Sequence, residues 1–444
     1  MPAVEEVWHA WAAALAELCP GVRATRRRGW LLLALGIALA GSCAVGRAAA
    51  ALPGRPASTE RRLRRWLANA AVEPAALWGP VLAGLLARWA GREVTLVFDP
   101  TPYRGSHTLL VVGVVWGERA LPVAWAAVPQ QERWPEALAP ALGRLLGRVA
   151  AALPTGAGPV TVLPGRGLAG PAVLDAVAAR GWHPVLRLRV GGGEAARVRL
   201  PAGAERALAG LARERVPGPG RHWAGEAALF KGAGWRDGWL TVWWGRGHAE
   251  PLVLFSTRPG GPARVREYRR RVLVEATYQD LKARGLGLED GRLRTEPPLE
   301  RLLLALVLAY WLDWVLGARA VRRGAAPGER PRAARWRIGA RGLRAALAGA
   351  APLRDVLPFP VRPGPDGPRP PAVASAKLSC SEGLGGEGVP THSTADGGCR
   401  RITVVYSTTR TSRVGQPVAP SGSGERMVDG ITLPVPSVAR ITPL

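Results

Sequence analysis

Lysine is nearly missing from this chain: only Lys231, Lys282 and Lys377 occur among its 444 residues. Arginine therefore carries almost all the positive charge. Acids are also short, since 60 Lys and Arg stand against 33 Asp and Glu, for a formal net charge of +27. That imbalance excludes a self-neutralised surface, and a long basic chain is expected to meet a polyanion, nucleic acid first. Arginine in place of lysine, together with abundant Ala, Gly and Pro, also fits a GC-rich coding bias that raises arginine without any binding role.

Cysteine is too sparse for a disulfide scaffold. Cys19, Cys43, Cys380 and Cys399 follow no zinc spacing, even with His392 between the last two, so a reducing, cytoplasmic setting is expected. A membrane-length apolar run is missing as well. The segment WLLLALGIALAGSCAVG, residues 30–46, follows a basic stretch, and its AGSC resembles a lipoprotein cleavage box. Its strongly apolar part is about fifteen residues, where a span needs roughly 20. Gly36, Gly41 and Ser42 interrupt it, and it lies too far along the chain for an ordinary signal. A buried helix, with no membrane partner, is the expectation.

Residues 1–90 read as a small all-α domain, with helices expected over 4–18, 30–40, 43–52, 58–69 and 75–90. Ser58 is placed to cap the fourth, which carries Arg61, Arg62, Arg64 and Arg65. This part suits either a helix-turn-helix style DNA contact or a basic bundle with no groove preference. From residue 91 the pattern turns to strands, at 94–98, 109–116 and 121–128. A helix follows, with Leu138, Leu142, Leu145, Leu146 and Val149 at helical spacing, then strands at 159–163 and 183–190 around a helix at 170–181. A three-strand meander followed by alternating helix and strand is the order of a ribonuclease-H-like α/β domain. Residues 191–258 form a β-rich insertion, and residues 259–350 return to helices at 262–285 and 299–317.

The helix at 262–285 contains EYRRRVLVEATYQDLK. At about 100° per residue, Tyr268, Arg271, Glu275 and Lys282 fall on one narrow stripe. Periodicity alone leaves two readings: a solvated face with an i,i+4 Arg/Glu pair, or a carboxylate held for a metal with cations and a phenol set for phosphate. Asp99, in LVFDPTPYRG, ends the first strand with Pro100 biasing it toward extended geometry. It is either a turn residue or the second carboxylate of such a site.

Tyr268, Arg271, Glu275 and Lys282 fit, in type and spacing, the Y-x2-R-x3-E-x6-K signature of DDE transposases of the insertion sequence four family. VFDPT resembles that family's first acidic motif, and VLPGRGLAGPAVLDAVAARGWHPVLRLR is similar to its second. The resemblance spans roughly residues 25–350. It implies a helical end-binding domain and an α/β ribonuclease-H-like core with a β-rich insertion. It also implies Mg²⁺ (or Mn²⁺) held by Asp99 and Glu275, and a homodimer working on transposon-end DNA and target DNA. Tyr268 and Arg271 would contact phosphates at the cleaved end and Lys282 the backbone beyond, with Arg104 and Arg166 as further candidates. Trp239, Trp243 and Trp244 of the insertion are candidates to stack a displaced base, or else core residues.

One departure stands out. The family's second motif reads Asp-Arg-Gly, but this chain has Gly165-Arg166-Gly167. Gly165 has no side chain to ligate anything, and Asp175, the next acid along, sits about one and a half turns into the following helix. Loss of one anionic ligand is expected to weaken a Mg²⁺ site and the chemistry it supports.

Past Pro363 the composition changes. All 18 Trp lie at or before Trp336, and Tyr406 is the only aromatic residue beyond Pro363. Residues 363–444, whose composition resembles read-through into a foreign or shifted frame, are not expected to form a packed core. A truncation after Arg362 is expected to melt at the temperature of the full chain. Aggregation of the truncated protein, or a lower melting point, would make the tail part of the packed structure.

Overall fold

The computed structural model describes residues 2–130, 134–190, 197–323 and 335–347, all within one compact unit. The tail from 363, with Cys380, His392 and Cys399, lies outside the described residues. Five helices come first: α1 (Pro2–Leu18), α2 (Ala24–Ala40), α3 (Val45–Ala50), α4 (Pro56–Ala68) and α5 (Pro74–Leu86). Then follow β1 (Val94–Tyr103), β2 (His107–Trp116), β3 (Arg119–Pro129), α6 (Trp134–Ala152), β4 (Val160–Pro164), α7 (Pro171–Ala178) and β5 (His183–Arg187). The insertion holds β6 (Arg197–Arg199), β7 (Glu205–Ala207), α8 (Leu208–Arg215), β8 (Arg221–Leu229), β9 (Arg236–Trp244) and β10 (Leu252–Ser256). The remaining described helices are α9 (Pro262–Tyr268), α10 (Leu273–Leu281), α11 (Glu296–Arg322) and α12 (Arg335–Leu347).

The strands form one mixed, mostly antiparallel open sheet in the order β3-β2-β1-β4-β5-β10-β9-β8-β6-β7. β1 runs antiparallel to β2 and parallel to β4, and β4 parallel to β5. β1 to β3 are buried along most of both faces, which is why they read as apolar runs rather than as an alternation. Side chains still alternate between faces. Val97, Leu163 and Val185 pack with Val265, Tyr268 and Val274 of the helices on one side, while Leu96, Phe98 and Val162 enter the main core on the other. The β10 strand joins β5 antiparallel, so the insertion continues the same sheet.

The N-terminal helices share the core with the sheet. α2 is the buried helix expected from the apolar run, with Trp30, Leu33, Ala34 and Ile37 wholly enclosed. Among the described residues one helix, α11, is long and apolar enough to cross a membrane, yet it is almost entirely buried within the protein.

Two local expectations change. Ser58 does not cap α4, because the helix begins at Pro56 with Arg55 extended before it. Proline fits the first helical turn, so it takes the start and leaves Ser58 inside. Nor is 262–285 one helix. A 3-10 stretch, Arg269–Val272, separates α9 from α10, and Lys282 lies one residue past α10. Its three residues per turn rotate α10 relative to α9, so the stripe extrapolated at 100° does not hold across the break.

α11 and α12 cross closely, since a Cβ on Gly339 would collide with the Asp313 carbonyl and one on Gly317 with that of Arg335. Asp313 is fully buried there, and neither carboxylate oxygen has a hydrogen-bond partner. Burial pushes its carboxyl well above the ordinary range, with Arg344 pulling weakly the other way. The folded state thus keeps Asp313 protonated where the unfolded chain has released the proton. Stability is then lost as pH rises from the unfolded value near 3.9, with a slope of up to about 1.4 kcal/mol per pH unit. Asp313→Asn should flatten the melting temperature between pH 4.5 and 7.5, and an unchanged pH profile in the variant would assign the dependence elsewhere.

Candidate active site beside the end of the fourth strand

The register between β1 and β4 pairs Val97 with Leu163 and Phe98 with Pro164. The Gly165 N–H continues that ladder, donating to the Phe98 carbonyl at 2.8 Å. Asp99 and Gly165 are therefore neighbours at the end of β4. Asp99 does not end β1 as the sequence suggested but lies in its middle, opposite Val111 of β2, because the pairing with β2 carries the strand on to Tyr103. By period-two alternation from Val97 and Leu163, Asp99 and Gly165 both belong to the face that α9 and α10 cover. Asp99 is buried there.

The signature helix brings its charges to this point. Arg271, in the 3-10 stretch, donates from Nη2 to Asp99 Oδ2 at 2.8 Å and from Nη1 to Glu275 Oε1 on α10. One guanidinium thus bridges the two carboxylates that the sequence singled out. Its Nε is buried without a hydrogen-bond partner. Burial raises the Asp99 carboxyl above its ordinary value, Arg271 opposes this, and Glu275 adds to the rise. Burial would lower Arg271, but the charge and hydrogen bond of Asp99 outweigh it and hold the guanidinium firmly protonated. Tyr268 is buried, its hydroxyl directed at the Pro164 carbonyl at 3.4 Å, with its pKa pushed up to about 12 by burial.

Lys282 does not extend toward solvent along a helical stripe. Its Nζ donates to the Pro102 carbonyl at 2.6 Å and lies 3.5 Å from Glu289. Arg104 sits in the β1–β2 turn in a left-handed conformation, exposed, and donates to the Glu289 carbonyl at 3.0 Å. Arg166 pairs with Glu250 at 3.4 Å, as does Arg187. On α4, Arg61, Arg62, Arg64 and Arg65 are all exposed, with Arg64 paired to Glu60 at 2.6 Å. The three tryptophans of β9 are half-buried. Trp243 carries Arg269 over its ring at 4.7 Å, which joins the insertion to the 3-10 stretch. Trp244 donates to the His248 carbonyl at 2.8 Å, and Trp239 lines a cavity of about 670 Å³ with Arg199 and Asp237.

These residues do not fit a two-metal centre. Among the described residues no three His, Cys, Asp or Glu gather as metal ligands. The two acids that do meet already share a guanidinium, and the position beside them is glycine. Asp175 is no substitute, because Arg236 holds it in a fork with both contacts at 2.9 Å.

Two supporting residues escaped the sequence reading. Tyr278, one turn past Glu275 and half-buried, donates its hydroxyl to the Asp99 carbonyl and so ties α10 to the strand end. Asp280 accepts from Arg119 Nε at 2.6 Å and from the Tyr310 hydroxyl at 2.9 Å, fixing the same helix to β3 and α11. Tyr278 stands at i+3 from Glu275, a neighbour that helical spacing does signal, whereas Asp280 at i+5 faces another side of the helix and carries no such signal. Comparison with protein-family models gives no match, and comparison with curated proteins gives none either.

Breaking a buried pair leaves a charge without compensation, at a cost of about 3–5 kcal/mol. Asp280→Ala should therefore lose roughly that much stability in urea unfolding, by the same principle. A loss within experimental scatter would mean that Arg119 finds another partner and that the pair does not anchor α10.

Proposed function

We propose that the chain is a DNA transposase of the insertion sequence four family whose surviving activity is recognition of transposon-end DNA. The observation that carries this reading is the meeting of Asp99 and Glu275, from distant parts of the sequence, on the one guanidinium of Arg271. A signature helix packed over the strand that bears the first acid is what the Y-R-E-K pattern implies. The strand order β3-β2-β1-β4-β5, with β1, β4 and β5 parallel and β2 antiparallel to β1, supports a ribonuclease-H-like core. The sheet's continuation through β10 into β9 and β8 supports a β-rich insertion ahead of the signature helix.

DNA contact follows from charge and exposure. Arg61, Arg62 and Arg65 present their charges to solvent on one short helix. Arg269 to Arg271 add a second cationic run beside the strand end. Backbone phosphates need no more than such arrays, because most of the binding free energy comes from released counterions. A pair of transposon ends would be held by two copies of the chain. Two carboxylates bridged by an arginine, with glycine beside them, leave the metal-dependent cutting and joining of the family without its ligand set.

Fluorescence anisotropy with end-bearing DNA should give an affinity that falls by roughly 0.9 log units per log unit of salt for each phosphate contact. Replacing Arg61, Arg62 and Arg65 by Ala should lower the slope by about 2 to 3, three contacts' worth at that value. A flat titration would reduce the charge to coding bias. Plasmid bearing both ends should remain uncut with Mg²⁺ or Mn²⁺, and cleavage abolished by Asp99→Asn would establish an intact catalytic centre instead.

A further inference from the structure

We infer that Arg271 is a built-in cation that takes the place of a divalent ion between Asp99 and Glu275, and that the missing side chain at residue 165 is what lets it do so. The inference rests on the transposase reading above and concerns the same strand-end site.

The geometry links the two features. An added Cβ at residue 165 would collide with Asp99 Oδ1, would lie 3.1 Å from Asp99 Cγ, and would be 3.5 Å from Arg271 Nη2. Asp99 occupies, with the tip of its own side chain, the space a side chain at 165 would need. In that position its other oxygen, Oδ2, meets Arg271 at 2.8 Å. The backbone of Gly165 does not itself demand glycine, since its φ of −58° and ψ of 155° suit any L-residue. The glycine matters for the room it leaves, and the room is filled by the carboxylate that the guanidinium holds.

The electrostatics point the same way. Two carboxylates that share a guanidinium have most of their mutual repulsion compensated at short range. A divalent ion entering between them has first to displace a charge already hydrogen-bonded to both, strongly so at the buried Asp99 and less so at Glu275, whose carboxylate is half open to solvent. Arg271 cannot neutralise itself by giving up its proton, as a lysine could. Tyr268 and Tyr278 close the site on either side of Asp99 with hydroxyls directed at backbone carbonyls, so neither supplies a ligand anion. Asp99, Arg271 and Glu275 then form a structural ion triad, which fastens the 3-10 stretch and α10 to the strand end in the free protein.

The test is Mn²⁺ binding to the full chain without DNA, followed by electron paramagnetic resonance of the free ion and by calorimetry. The unmodified chain should show no saturable site that Asp99→Asn removes. Arg271→Gln, which leaves the acids uncompensated, should create one at least about tenfold tighter than any residual binding. Adding Asp99→Asn to that variant should abolish the new site. Gly165→Ala provides an independent arm if Arg271→Gln does not fold: its Cβ pushes the Asp99 carboxylate off the guanidinium, so Mn²⁺ affinity should rise without any new ligand. Tight Mn²⁺ binding by the unmodified chain, lost on Asp99→Asn, would overturn the inference, as would the failure of every folded variant to gain a site. Neither result touches the salt titration with DNA, which judges the transposase reading separately.

Discussion

A helix enclosed on all sides has to find partners for the polar atoms it carries, and α11 meets most of that constraint by reaching into α2, the end of α4 and β3. Arg301, buried near its start, donates to the carbonyls of Leu67 and Val72 at 2.9 and 3.0 Å. Trp311 donates to the Pro122 carbonyl on β3 at 2.7 Å. The Leu304 carbonyl accepts from Trp30 of α2 at 3.0 Å. Each of these bonds costs little when made and much when lost, because the orphaned group would stay buried. The helical N-terminal part and the sheet are joined through α11, and the apolar burial around it supplies the cohesion. Asp313 and the Trp314 indole N–H are exceptions on this helix, both buried without a hydrogen-bond partner, and Asp313 is an acid kept neutral by that burial.

The same helix sets the strand-end site. Tyr310 of α11 and Arg119 of β3 meet at Asp280, which fixes the last turn of α10. Thr277, one turn earlier, accepts from the Ala120 N–H at 3.2 Å. With its far end fastened twice, α10 has little freedom to tilt. Tyr278 then reaches Asp99 from the same helix, and the 3-10 stretch delivers Arg271 between the acids. The geometry of the charged groups is thus inherited from buried contacts that carry no charge to solvent, which is why the positions of Asp99 and Glu275 depend on residues well away from them.

Much of this frame is legible in the sequence, since period-two and period-3.6 patterns report burial directly. The starts of β1, β4 and β5 and the ends of β2 and β3 fall within two residues of expectation, because each is a dense apolar run bounded by turn residues. The pairing of Asp99 with Glu275 is legible only through the Y-R-E-K spacing. Other features are not. The break at Arg269–Val272 leaves no mark in periodicity, because a 3-10 turn and an α turn use the same residue types over four positions. The fate of Lys282 is hidden too: α10 ends at Leu281, and Lys282, the residue after it, turns to the Pro102 carbonyl. Asp280 and Arg119 lie far apart in sequence, and nothing in either neighbourhood announces a buried ion pair. The role of Gly165 is half legible, as a missing ligand in the sequence and as room for Asp99 in the structure.

The distribution of free and committed cations bears on how DNA would be met. Arg271 is held by two carboxylates, Lys282 by a carbonyl with Glu289 nearby, Arg104 by the Glu289 carbonyl, and Arg166 by Glu250. A phosphate arriving at the strand end has to exchange for one of these acceptors, so the gain there is the difference between two charge-assisted contacts and not a whole one. Arg61, Arg62 and Arg65 of α4 stand exposed, and contacts they made with phosphate would add almost entirely to the counterion term. The two kinds of arginine therefore do different things. On the transposase reading, those on α4 would provide affinity with little discrimination, while those at the strand end would provide a contact whose strength depends on what the carboxylates beside them are doing. Charge on this protein is abundant, but what it could do to a polyanion is decided by which arginines the fold has already occupied.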